Sequence, residues 1–193
     1  MIDTCTYDDR DGFIWFDGAL IPWRDAKVHI LTHALHYASA VFEGQRAYGG
    51  AIFRLSDHSR RLINSARILG FELPWSVEQI DVACNEVLAA NGLSDGYVRP
   101  IAWRGSEQMG VSAQLTKPHL AVAAWDWGAY FGAASDKGLR LGIAPWRRPA
   151  PYTAPVHAKA SGLYMIATLS KHHAEGRGYN DALMFDWRGQ VAE

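Results

Sequence analysis

Apolar and polar positions alternate with clear punctuation along this chain. Phe13-Ile14-Trp15-Phe16 and Ala19-Leu20-Ile21 are apolar runs split by Asp17-Gly18, a dipeptide suited to a tight hairpin turn, so two antiparallel strands are predicted. A second strand pair is expected at 41–48 and 51–54, joined by Gly49-Gly50. Between the two pairs, residues 31–40 read equally as a short helix or a loop. Helical spacing then takes over. Ser56 is the expected N-cap of a helix whose apolar stripe is Leu62, Ile63, Ala66 and Leu69, with Gly70 as its stop. Ser76-Val77-Glu78-Gln79 has the form of a capping box and opens a second helix through Ile80, Val87 and Leu88, ending at Asn91-Gly92. Strand-like runs follow at 97–103 and 120–125.

Strands, two helices and strands again make an α+β pattern, unlike the alternation of βαβ units. From Tyr130 to Lys137 the chain turns small and polar, and an interdomain linker is placed at 134–138. Regular structure is expected to resume with a strand at 139–144. A Pro-punctuated stretch then leads to Lys159, a helix at 161–174 and a strand at 182–185. The expected organisation is a small N-terminal α+β domain over 1–133 and the first part of a larger domain over 139–193. At about fifty residues that second part is near the lower limit for an independent core, so the chain reads as cut short.

Composition removes several function classes. Of 193 residues, 49% are hydrophobic and 20% charged, and the net charge is -1, as in an ordinary folded protein. With no basic excess to neutralise phosphates, nucleic acid is not an expected partner. Cys5 and Cys84 are far apart and form neither a CxxC pair nor a disulfide framework, which fits a reducing cytoplasm. The first residues carry Asp3, Asp8, Asp9 and Asp11 and lack the basic and apolar regions of a signal peptide. No apolar run approaches the length of a membrane span. His33, His36, His172 and His173 show no HExxH-like pairing, so no metal is expected.

The candidate chemistry centres on Lys159, in His157-Ala158-Lys159-Ala160-Ser161-Gly162. A lysine among small residues ahead of a helix can be partly desolvated, which favours the neutral, nucleophilic amine that a Schiff base needs. Taken alone, the same segment also describes a surface lysine at a helix start. Arg60-Arg61 could grip a phosphate or could belong to a solvated helix face. Tyr97 and Arg99 are two apart on a predicted strand, so they share a face and can converge on one anion. Buried in an otherwise apolar strand, Arg99 needs a carboxylate partner. Phe42, Tyr37, Met109, Val111, Trp127, Tyr130 and Tyr164 are candidates for an apolar pocket or simply for core.

Taken in order, several stretches resemble the branched-chain aminotransferases of the class IV (fold type IV) pyridoxal-phosphate enzymes, across nearly the whole chain. They are Ile14-Trp15-Phe16-Asp17-Gly18, His33-Ala34-Leu35-His36-Tyr37, Val41-Phe42-Glu43-Gly44, Tyr97-Val98-Arg99-Pro100, Met109-Gly110-Val111, Trp127-Gly128-Ala129-Tyr130 and Lys159-Ala160-Ser161-Gly162. The resemblance implies a two-domain fold type IV aminotransferase with pyridoxal 5'-phosphate as cofactor. The enzyme would move the amino group between L-leucine, L-isoleucine or L-valine and 2-oxoglutarate, with L-glutamate and branched 2-oxo acids as the other partners.

The resemblance also implies residue roles. Lys159 would carry the cofactor and shuttle the proton between the substrate Cα and the cofactor C4′. Glu193 would pair with the pyridinium nitrogen, Tyr164 with the phenolic oxygen, and Arg61 with the phosphate. Phe42, Tyr37, Trp127, Tyr130, Met109 and Val111 would form an apolar substrate wall interrupted by Arg99, and Tyr97 would help hold the α-carboxylate. Met109 and Val111 would sit on a loop reaching a neighbouring subunit's site, implying a homodimer or a dimer-based hexamer.

Two alternatives share these features. One is another class IV enzyme, such as a D-amino-acid transaminase or aminodeoxychorismate lyase; the other is a noncatalytic truncated paralogue. Because family members run on by about half this length again, the 193-residue chain alone is expected to be inactive.

Overall fold

The computed structural model describes residues 6–128 and 138–193. Cys5, Ala129, Tyr130 and most of the expected linker lie outside them.

Strands β1 (Phe13–Phe16) and β2 (Ala19–Pro22) form the predicted hairpin, with Asp17 and Gly18 both at positive φ in the turn. A 3-10 turn (Trp23–Asp25) follows. The ambiguous stretch resolves as a short helix, α1 (His33–Tyr37), that ends at Ala38 in the left-handed region. The predicted run 41–48 becomes two strands, β3 (Ala40–Phe42) and β4 (Gln45–Tyr48), and β5 is only Ala51–Ile52. Helices α2 (Leu55–Ile68) and α3 (Val77–Ala90) come next, then the long strands β6 (Gly96–Arg104) and β7 (Pro118–Trp125). After residue 138 come β8 (Leu141–Ile143), a 3-10 turn (Ser161–Leu163), α4 (Met165–Glu175) and β9 (Asp181–Leu183).

The split between β3 and β4 has a covalent cause. Both strands pair antiparallel with β6 in one continuous register, Phe42 opposite Ile101 and Gln45 opposite Val98. Pro100 falls between those pairs. It accepts a bond from Glu43 N (2.8 Å) but has no N–H to return, so the ladder opens at Glu43-Gly44.

Ser56 is not the N-cap. Helix α2 starts one residue earlier, after Arg54 in the left-handed region and with no side-chain cap. The Ser56 and Ser59 hydroxyls instead donate to the two carboxylate oxygens of Asp81, both at 2.5 Å, tying α2 to α3. The capping box of α3 forms as predicted, and the Ser76 hydroxyl accepts from Gln79 N.

The main sheet runs β2-β1-β7-β6-β4-β5, with β3 also paired to β6, and α2 and α3 cover one face. Alternation decides what each face holds. Val41, Val98, Ala102, Leu120 and Val122 point towards the helices and join Leu62, Ile80 and Val87 in the core. Ile14, Phe16, Ile101, Trp103 and Ala121 occupy the opposite face. Strands β8 and β9 pair in parallel as a separate small sheet against α4. The predicted strands 139–144 and 182–185 are thus shortened, and the predicted helix 161–174 begins as a 3-10 turn. No helix among the described residues is long and apolar enough to cross a membrane.

Candidate active site

The backbone of Lys159 is stitched to the first half of the chain. Its carbonyl accepts from Phe42 N (3.1 Å), its N–H donates to Ser65 Oγ on α2 (3.0 Å), and Ala160 bridges Val41. The main chain around Lys159 thereby continues the sheet beyond β3 while remaining tied to α2. Gly162 permits the approach, since a Cβ there would lie 2.8 Å from Ala38 Cβ.

From that edge the Lys159 amine donates to the Tyr164 hydroxyl at 2.6 Å. The amine stands 5.0 Å from the ring centres of both Phe42 and Tyr164, which meet edge-on at 4.8 Å. The other face of this cluster is cationic. Arg99 lies 4.7 Å from the centre of the Phe42 ring and donates to the Tyr97 hydroxyl through Nη2 (2.8 Å) and Nε (3.2 Å). Tyr97 and Arg99 do share a face, as their spacing requires. Among the described residues Arg99 has no carboxylate partner. Trp127 packs edge-on against Tyr97 at 4.6 Å. Gly44 leaves room for the Tyr97 phenol, since a Cβ there would collide with its oxygen unless the ring shifted.

Arg61 projects from α2, about half exposed, with Nε and Nη2 gripped by Glu43 at 2.5 and 2.6 Å. Those hydrogen bonds hold its pKa above the ordinary arginine value, opposed by partial desolvation and helped by the Tyr164 oxygen nearby. Tyr164 and Glu193 line one cavity of about 420 Å³ with Thr168, Ser170, Asp181 and Met184. Glu193 is fixed by a two-way backbone pairing with Met184 and stands 3.4 Å from Arg148.

Tyr37 and Val111 are placed elsewhere. With His33, Ser39 and Arg104 they line a separate polar recess of about 650 Å³, and Met109, on the same loop as Val111, is exposed. The structure thus brings together Lys159, Tyr164, Phe42, Tyr97, Arg99 and Trp127, sets Arg61 and Glu193 around Tyr164, and leaves Tyr37, Met109 and Val111 apart. Tyr130 lies outside the described residues. Among the described residues no cluster of three or more His, Cys, Asp or Glu could hold a metal.

Sequence reasoning missed Glu43, Ser65, Ser170 and Arg148. Glu43 could have been found: a carboxylate in the apolar run Ala40–Phe42 onward needs a buried cation. Ser65 and Ser170 carry no signal in their spacing.

These donors suit pyridoxal phosphate. A phenol and a carboxylate, Tyr164 and Glu193, line a cavity of the size that ligand sites commonly have, and the Lys159 amine is bonded to that phenol. Ser170 Oγ, buried on that cavity wall, has no hydrogen-bond partner and so leaves polar capacity unspent.

Residues 40–193 match the amino-transferase class IV family, and the chain belongs to that family. Within it, the chain is similar to the branched-chain-amino-acid aminotransferase of Pseudomonas aeruginosa, 43% identical over 190 residues, which cover 96% of this chain and 62% of that protein. The Escherichia coli (strain K12) protein of the same name is 38% identical, covering 94% and 60%. In structure the chain is similar to the T.th. branched-chain amino acid aminotransferase with pyridoxamine 5'-phosphate, with a TM-score of 0.89, 42% identity and coverage of 95% and 62%. The same holds for the Thermoproteus uzoniensis enzyme with norvaline, with a TM-score of 0.87, 36% identity and coverage of 94% and 62%. The α+β architecture is therefore that of fold type IV. The chain spans about 62% of the length of the relatives it matches.

Proposed function

We propose that this chain carries the lysine, and much of the substrate wall, of an aminotransferase that moves the amino group between L-branched-chain amino acids and 2-oxoglutarate. One observation carries the reading. A lysine amine bonded to a tyrosine faces, across an aromatic wall, an arginine that has no carboxylate partner among the described residues, and the chain belongs to the class IV family.

Pyridoxal 5'-phosphate, when bound, supplies the electron sink for charge released at the substrate Cα. Lys159 would hold the cofactor covalently, and its amine would carry the proton between the substrate Cα and the cofactor C4′ as base and acid. Tyr164, which already accepts from the Lys159 amine, orients that amine and donates to the cofactor's phenolic oxygen. Arg61 binds the phosphate. Glu193, across the same cavity from Tyr164, keeps the pyridine nitrogen protonated.

On the substrate side, Tyr97 helps hold the α-carboxylate, and Phe42, Trp127 and Tyr130 form the apolar wall. Arg99 supplies the missing countercharge when the side chain is that of glutamate, so one pocket serves both substrates. Tyr37, Met109 and Val111, set apart in this chain, complete the wall of a neighbouring subunit in a homodimer or dimer-based hexamer. In this reading residues 1–133 are the small domain, 134–138 the linker and 139–193 the start of the larger domain, and the enzyme works in the cytoplasm.

The test uses the full-length protein loaded with pyridoxal phosphate. It should form glutamate from L-leucine and 2-oxoglutarate, and Lys159→Ala should abolish both turnover and the long-wavelength absorbance of the bound cofactor. Turnover that survives in the Lys159→Ala variant would sink the reading. Release of 4-aminobenzoate from aminodeoxychorismate would redirect it to the lyase.

A further inference from the structure

Glu43 is the most deeply buried carboxylate of the site, with no solvent exposure. One oxygen accepts from Arg61 Nε, and the other accepts from both Arg61 Nη2 (2.6 Å) and His58 Nδ1 (2.8 Å). Its backbone is equally constrained, because Glu43 N donates to Pro100 O where the proline opens the ladder. A fully desolvated carboxylate is a costly way to fill space in a strand, and apolar residues of similar volume would pack there at lower free energy. What the carboxylate supplies is direction.

A guanidinium has five N–H groups, and Glu43 engages two of them along one edge. Nη1 has no hydrogen-bond partner among the described residues, and the Arg61 side chain is half exposed. Arg61 thus keeps donors free on the edge turned away from Glu43, with the Tyr164 oxygen near enough to help raise its pKa. Unclamped, a half-exposed arginine would sample many rotamers and would have to be ordered at the moment of binding.

We propose that Glu43, with His58 behind it, is a positioning residue that aims Arg61 at the phosphate of the cofactor. This rests on the reading of Arg61 as the phosphate ligand. His58 completes the carboxylate's hydrogen bonding, so that the Glu43 oxygens stay turned towards Arg61. Glu43 itself touches neither cofactor nor substrate.

The expected signature is selectivity for the phosphate group. In the full-length apo protein, Glu43→Gln should weaken binding of pyridoxal 5'-phosphate about tenfold, the scale of one lost charge-assisted hydrogen bond. Binding of pyridoxal, which lacks the phosphate, should change less than about threefold. Inorganic phosphate should compete correspondingly less well against pyridoxal phosphate. Arg61→Lys should also lower the ratio of the two affinities, and adding Glu43→Gln to it should lower the ratio little further, because the carboxylate acts through the guanidinium.

The outcomes separate the two ideas. A ratio unmoved by Arg61→Lys overturns the phosphate role of Arg61. A ratio lowered by Arg61→Lys but not by Glu43→Gln, or equal weakening of both ligands by Glu43→Gln, overturns the positioning role alone. Should Glu43→Gln fail to fold, Glu43→Asp carries the same test: it keeps the charge but withdraws it by one methylene, and an unchanged ratio there overturns the proposal.

Discussion

Replacing Gly44 by Ala tests the substrate side of the site through a single atom. Gly44 does not occupy the left-handed region, so an alanine costs nothing in backbone conformation; the effect is contact alone. The new Cβ would collide with the Tyr97 hydroxyl oxygen, with Tyr97 Cζ next at 3.1 Å and Cε2 at 3.4 Å. The phenol must therefore move, and it is the acceptor for Arg99 Nε and Nη2. Overpacking of this kind costs about 1–3 kcal/mol. For a chain of this size that lowers Tm by roughly 2–10 °C. Losing the tyrosine's grip on Arg99 should also raise KM for 2-oxoglutarate by about tenfold, with kcat changed less.

The rescue is built into the geometry. Tyr97→Phe removes the colliding oxygen and leaves 3.1 Å as the tightest contact, a shortfall that a small ring shift absorbs. Gly44→Ala on a Tyr97→Phe background should therefore cost less than about 1 kcal/mol. Differential scanning fluorimetry and steady-state kinetics on the four proteins of this cycle give both numbers. A Gly44→Ala protein with parental Tm and KM, or a cost that persists undiminished on the Tyr97→Phe background, refutes the argument.

Arg99→Lys should raise KM for 2-oxoglutarate and glutamate about tenfold or more while leaving that for L-leucine within about threefold, since only the acidic side chain needs the guanidinium fork; parallel rises for both substrates would contradict the division of labour. Asp81→Ala should destabilise the protein by about 1–3 kcal/mol in urea titration, because the Ser56 and Ser59 hydroxyls lose the carboxylate that ties α2 to α3. Burial, reinforced by Asp81, pushes the Cys84 thiol up to about 12. A raised folded-state value means the contribution is fully present below the ordinary thiol pKa near 9.0 and is lost as pH rises towards 12, because the unfolded chain gives up the proton first. Stability of the parent should then fall more steeply with pH over that window than stability of Cys84→Ala, and identical slopes would contradict the burial argument.

Much of the architecture was legible because it is written in local chemistry. Asp17-Gly18 closes the first hairpin, Ser76 with Gln79 caps α3, and the two-residue spacing of Tyr97 and Arg99 puts them on one face. What failed depended on partners distant in sequence. Ser56 has the side chain of an N-cap, but Asp81, twenty-five residues on, offers its hydroxyl a partly buried carboxylate, and the helix start moves to Arg54. Residues 41–48 read as one strand because the interruption comes from Pro100 on the partner strand. At the site, the resemblance supplied Lys159, Tyr164 and Arg61, but spacing alone could not show that Glu43 clamps Arg61. Nor could it show that Tyr37 and Val111 share a recess away from the lysine.

The stitching of Lys159 to Phe42 and Ser65 has a mechanical consequence. Although Lys159 lies far along the chain, its main chain is a passenger of the first sheet and of α2. A designer reshaping the aromatic wall from β6 therefore leaves the lysine's main-chain anchors in place, whereas changes to β3 act on them directly.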